Sequence, residues 1–116
     1  MQKSSLIITL LSVTIILLVA CSKSDDDGGS DNCSGVPKTW SADVSPIIQS
    51  FCNQAGCHNA GSGQGVGPLT NYSEVYANRF AIKDAVKEGR MPQNTTLSTA
   101  QKNTIICWID SGAPNN

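Results

Sequence analysis

Two cysteines and a histidine fall within the seven-residue segment Cys52-Asn53-Gln54-Ala55-Gly56-Cys57-His58, and the histidine is the only one in the chain. Thiols placed in this way can add across the two vinyl groups of a porphyrin, and an imidazole directly behind the second thiol can reach the iron from one face. The expected chemistry is one covalently attached haem, with thioethers at Cys52 and Cys57 and His58 as an axial iron ligand. Four residues separate the cysteines, where the usual spacing is two. The vinyl groups are a fixed distance apart, so residues 53–56 must bulge outward. Ala55 and Gly56 are small enough to allow this.

A haem iron also needs a ligand on its other face. With one histidine, two-imidazole ligation within the chain is excluded. Met1 belongs to a leader segment, which leaves Met91, in Gly89-Arg90-Met91-Pro92, as the one methionine of the mature chain. Its thioether is a soft ligand suited to haem iron, and His/Met ligation raises the reduction potential. Methionine also fills gaps in cores, but a position beside proline in a loop suits ligation better. Gly67-Pro68-Leu69 follows the attachment segment. A ligating imidazole usually donates its second N–H to an acceptor, and the Pro68 carbonyl, on a residue of fixed φ, is the expected partner of His58. The same three residues also read as a simple turn.

Three segments follow from composition: a leader at 1–20, a lipidated cysteine with an acidic linker at 21–35, and a folded domain at 36–116. Lys3 precedes an apolar run from Leu6 to Val19, which is too short for a comfortable membrane span. Leu18-Val19-Ala20-Cys21 resembles a bacterial lipobox, which implies cleavage before Cys21 and lipid on that cysteine. An ordinary leader with a chance cysteine is the plainer alternative. Ser22 to Asn32 carries no apolar residue and reads as a tether. Its Asp25-Asp26-Asp27 run resembles the acidic signals of Bacteroidetes surface lipoproteins, or is simply a solvated spacer. The implied location is the cell envelope, anchored by lipid to a bacterial membrane on its periplasmic or outer face.

The formal net charge is −1 and no basic cluster is present, so nucleic acid is not an expected partner. The folded segment is too short for two cores, and domains of this size rely on staples, metals or cofactors. Of five cysteines, Cys33 and Cys107 remain once lipid and haem have taken the others. An exported, oxidising location makes a Cys33–Cys107 disulfide the natural assignment; the alternative is a buried free thiol at Cys107.

Three helices are expected. The first starts near Ser45-Pro46, with serine as N-cap and proline at the first helical position, and runs into Cys52 with Val44, Ile47, Ile48 and Phe51 on one face. The second spans about 72–88, with an apolar stripe of Tyr72, Val75, Tyr76, Phe80, Ile82, Ala85 and Val86, and stops at Gly89. The third starts at Ser98, forms a capping box with Gln101 and ends at Gly112. Its inner face is Ile105, Trp108 and Ile109. At about 100° per residue Cys107 lies about 200° from both isoleucines and points elsewhere. Residues 59–68 hold four glycines and read as a loop with backbone close to something that excludes side chains. No strand periodicity and no internal repeat is visible. The expected fold class is all-α, three main helices and loops.

Taken together, the helix running into Cys52…Cys57-His58, the Gly67-Pro68-Leu69 segment, Met91-Pro92 and the last helix ending Trp108-Ile109-Asp110-Ser111-Gly112-Ala113 resemble a small class I c-type cytochrome over about residues 43–113. That resemblance implies a cytochrome c-like fold in which the first and last helices cross beside one haem c. It implies Cys52 and Cys57 as thioether sites, His58 as proximal ligand and Met91 as distal ligand. It implies one-electron transfer with a redox partner protein rather than catalysis on a small-molecule substrate. Lys83, Lys87, Arg90 and Lys102 are either part of a docking rim or ordinary solvated residues. Two other readings compete. One is a disulfide-stapled extracytoplasmic binding module without haem, with Cys52 paired to Cys57. The other is a metal site of Cys52, Cys57 and His58, which lacks the second ligand pair that zinc sites usually show.

Overall fold

The computed structural model describes residues 33–116. The leader at 1–20, the lipobox cysteine Cys21 and the acidic tether lie outside the described residues. Those that are described form helices and loops, with no strand among them. No helix among them is long and apolar enough to cross a membrane.

The first helix begins earlier than its proline signals. A π-helical turn over Trp40–Val44 leads directly into α1, Ser45–Phe51. Ser45 is therefore not an N-cap: its backbone is helical and its N–H bonds to the Trp40 carbonyl, five residues back. Pro46 accounts for this. It has no N–H for the Ala42 carbonyl, and its ring would crowd that carbonyl in a regular α-turn, so the wider π-turn relieves the clash. The start is fixed at Thr39, whose N–H and hydroxyl both donate to the Asp43 carboxylate (2.7 and 2.8 Å). These bonds hold the Asp43 carboxyl below its usual pKa range.

The expected second helix is two, α2 (Tyr72–Ala77) and α3 (Arg79–Lys87), separated at Asn78. The Asn78 side-chain amide donates to the Glu74 carbonyl at 2.9 Å, offering the backbone a local alternative to continuing the helix. Val75, Ile82, Ala85 and Val86 are buried, whereas Tyr76 and Phe80 are exposed. α2 is capped by Asn71, whose side chain accepts from the Glu74 N–H, while Thr70 donates twice to the Glu74 carboxylate.

The last helix, α4 (Thr99–Asp110), starts in a complete capping box of Ser98 and Gln101. It ends in a Schellman motif: Gly112 N–H bonds to Ile109 O and Ala113 N–H to Trp108 O. Gly112 has φ +97, a conformation that favours glycine. α4 packs against both the Trp40–Val44 turn and α3. Trp40 and Trp108 lie with ring centroids 5.4 Å apart, Tyr72 meets Trp40 edge-on at 5.4 Å, and the Tyr72 hydroxyl donates to Ala113 O. Val44, Ile48, Val75, Val86, Ile105 and Trp108 form the innermost core. A disulfide joins Cys33 to Cys107. Cys107 turns away from the Ile105–Trp108 face as expected, yet it is only 1% exposed. Asn116 completes the closure: its side-chain and main-chain oxygens accept the N–H groups of Trp40 and Ser41.

Candidate functional site

α1 delivers Cys52 at its C-terminus, with the Cys52 N–H still bonded to Ile48 O. The chain then makes a closed excursion. His58 N–H returns to Cys52 O at 3.1 Å, and a turn from Gln54 O to Cys57 N–H closes the tip. Gln54, Ala55 and Gly56 are exposed, with Gly56 at φ +77, so the longer spacer bulges outward. Its polar side chains are also used. Gln54 Nε2 donates to the carbonyls of Gln49 and Ser50, and Asn53 Nδ2 to Gln49 Oε1. The Gln54 bonds satisfy carbonyls that the last turn of α1 leaves without helical partners. The excursion thus returns the chain to its starting point and caps the helix on the way.

His58 is 8% exposed, and its Nδ1 lies 2.7 Å from the Gly67 carbonyl. A carbonyl can only accept, so Nδ1 carries the proton; in the neutral ring the lone pair that a metal ligand needs is then on Nε2. The acceptor is Gly67 and not Pro68. The Gly67 φ of +79 turns its carbonyl toward the ring. Leu69 N–H bonds to His58 O at 2.8 Å, so the segment and the loop after it are tied on both sides of the imidazole. The loop glycines are present for backbone geometry more than close approach. A Cβ at Gly61 or Gly63 would meet nothing within 4 Å, and one at Gly65 would lie 3.8 Å from His58 Cε1. Ser62 fixes the near end of this loop by donating its hydroxyl to Cys57 O.

Met91 comes from the loop after α3. That helix ends in its own Schellman motif, with Gly89 at φ +69, Gly89 N–H on Val86 O and Arg90 N–H on Ala85 O. The Ala85 carbonyl also accepts the Met91 N–H at 3.2 Å. The methionine backbone is therefore pinned to the end of a packed helix.

Cys52, Cys57, His58 and Met91 line one cavity of about 510 Å³, a size typical of cofactor and ligand sites. Its walls are apolar, formed by Phe51, Val66, Leu69, Ile82, Ala85 and Val86, with Gln64, Asp84, Arg90 and Gln93 as polar members. Cys52 and Cys57 are free thiols. Burial, and secondarily the proximity of Cys57, pushes the Cys52 pKa up to about 11, so this sulfur is a neutral thiol at neutral pH. Among the described residues no group of three or more His, Cys, Asp or Glu side chains is placed to hold a metal ion. Cys52, Cys57 and His58 thus do not converge as a zinc triad would. The donor set does fit a c-type haem: two thiols for the vinyl groups, an imidazole in the right tautomer, a thioether and an apolar wall.

Sequence reasoning missed three features. It placed the imidazole's acceptor one residue too late. It did not find the capping role of Gln54, although a polar side chain just past a helix end is a signal for it. It also did not find that Lys83 pairs with Asp110 and Arg90 with Glu88, leaving both as either docking-rim or ordinary solvated residues. No family model matches the chain, and no curated protein and no solved structure matches it either.

Proposed function

We propose that the chain is a monohaem c-type electron carrier of the cell envelope, with a cytochrome c-like fold, anchored to a membrane by lipid on Cys21. The observation that carries this reading is the convergence of Cys52, Cys57, His58 and Met91 on one apolar cavity, with the His58 Nδ1–H committed to the Gly67 carbonyl. The bound group supplies reversible one-electron chemistry. The chain's residues do the rest. Cys52 and Cys57 would hold the group covalently, as thioethers from addition of each S–H across a vinyl group. The Gly67 carbonyl keeps the proton on Nδ1 and so directs the Nε2 lone pair. The Ala85 carbonyl holds the Met91 backbone, which would keep its thioether available as an iron ligand without reordering the loop. The apolar wall excludes water, which together with thioether ligation favours a high potential.

With His58 and Met91 both held as iron ligands, no position would remain for a substrate, so the role would be electron exchange with a redox partner protein rather than catalysis. The test is the colour of the matured full-length protein. Expression with haem-attachment machinery should give a pigment that stays on the polypeptide through acid–acetone extraction. A colourless product, or a pigment that passes into the organic phase, contradicts covalent attachment.

A further inference from the structure

Two large apolar side chains are exposed on the described surface, Phe80 at 64% and Tyr76 at 37%. They are neighbours. The Arg79 guanidinium carbon lies 4.0 Å from the Tyr76 ring centroid and 4.4 Å from that of Phe80. Arg79 Nη1 donates to the Tyr76 carbonyl at 2.7 Å, which holds the cation between the rings. The ion pairs among the described residues are Lys83–Asp110 and Arg90–Glu88, so Arg79 meets no carboxylate there. Its other N–H donors remain for an incoming acceptor.

The patch is continuous with the cavity. Phe80 directly precedes Ala81 and lies one helical turn before Asp84, and both of those residues line the cavity. Arg79, Lys83 and Lys87 recur every four residues along α3. With Lys83 neutralised by Asp110, Arg79 and Lys87 stand against one carboxylate on this helix, Asp84. Exposed aromatic rings with arginine among them are the composition of interface centres.

We infer that Tyr76, Arg79 and Phe80 form the docking contact for an electron-exchange partner protein that presents a carboxylate beside an apolar side chain. This rests on the haem reading above. The rings cover apolar surface, the guanidinium takes the carboxylate, and contact here brings the partner against the helix that walls the cavity.

The probe is ferrocenium monocarboxylate, an apolar redox body bearing one carboxylate. It is compared with oxidised (ferrocenylmethyl)trimethylammonium, the same body bearing a cation. One electron passes from the reduced full-length holoprotein to the ferrocenium centre, which becomes ferrocene, and no atom is transferred. In stopped flow at low salt, Arg79→Gln should slow oxidation by the carboxylate probe about two- to fivefold, and should not slow the ammonium probe. High salt should shrink that difference. Phe80→Ser should slow both probes, and Lys38→Gln, in the segment beside Cys33, neither. An unchanged carboxylate rate in Arg79→Gln, equal slowing of both probes in that variant, or the same slowing in Lys38→Gln overturns the docking assignment. A sample with no reducible pigment overturns the haem reading and this inference with it. A pigmented sample with unaltered rates overturns the docking contact alone.

Discussion

Where α4 meets the first helix, the chain supplies both sides of every contact. Trp40 lies against Trp108, the Trp108 indole N–H donates to Pro114 O, and Cys33 is bonded to Cys107. Where the 52–69 segment faces the loop after α3, the chain supplies two walls and aims Cys52, Cys57, His58 and Met91 at the space between them. The first region is held by side-chain packing. The second is held from behind by backbone bonds: His58 N–H to Cys52 O, Leu69 N–H to His58 O, and Met91 N–H to Ala85 O. That division lets donor atoms stay in position without packing against one another, and it makes the two regions respond differently to mutation.

The largest loss of stability should come from the seam. Trp108 is fully buried, and Trp108→Ala should cost about 3–5 kcal/mol in denaturant unfolding of the matured protein. A loss under about 1 kcal/mol would mean that the seam does not carry the fold in the way described. Next is the staple. The Cys33–Cys107 bond spans a sequence separation of 74, and Cys33→Ser should cost about 2–5 kcal/mol in thermal unfolding, with the pigment spectrum retained. A changed spectrum would show that the staple and the cavity are coupled. The smallest stability effect should come from the cavity side. Met91 is half-buried in a loop whose backbone is already fixed, so Met91→Ala should leave the unfolding midpoint nearly unchanged. The same substitution should lower the reduction potential and open the iron to carbon monoxide. An unaltered potential with no carbon monoxide binding would remove Met91 from the coordination sphere.

The two regions also differed in how far their residues announced them. The seam was readable because its signals are local. Ser98 with Gln101 marks a helix start, Gly112 before Pro114 marks its end, and the spacing of Ile105, Trp108 and Ile109 marks its inner face. The donor residues of the cavity were readable by type: a lone histidine behind a cysteine pair, and a methionine beside a proline. What was not readable depends on backbone direction. Whether Gly67 or Pro68 presents a carbonyl to His58 is decided by dihedral angles, and both residues have a carbonyl to offer. Pro46 does stand in the first turn of α1, but the π-turn ahead of it leaves no pattern of its own in side-chain spacing. Asn78 was passed over as one polar residue in a helix, yet its side chain bonds to Glu74 O where the helix divides.

The account stands on two sulfurs, Cys52 and Cys57, bonding one porphyrin across an outward-bulging spacer. Intact mass of the matured full-length protein, denatured and alkylated without reduction, tests this directly. The account predicts the lipidated chain plus one haem, with the 33–107 disulfide intact and no alkylatable thiol. A chain without added haem, carrying either two alkylated cysteines or a second disulfide between Cys52 and Cys57, would contradict it.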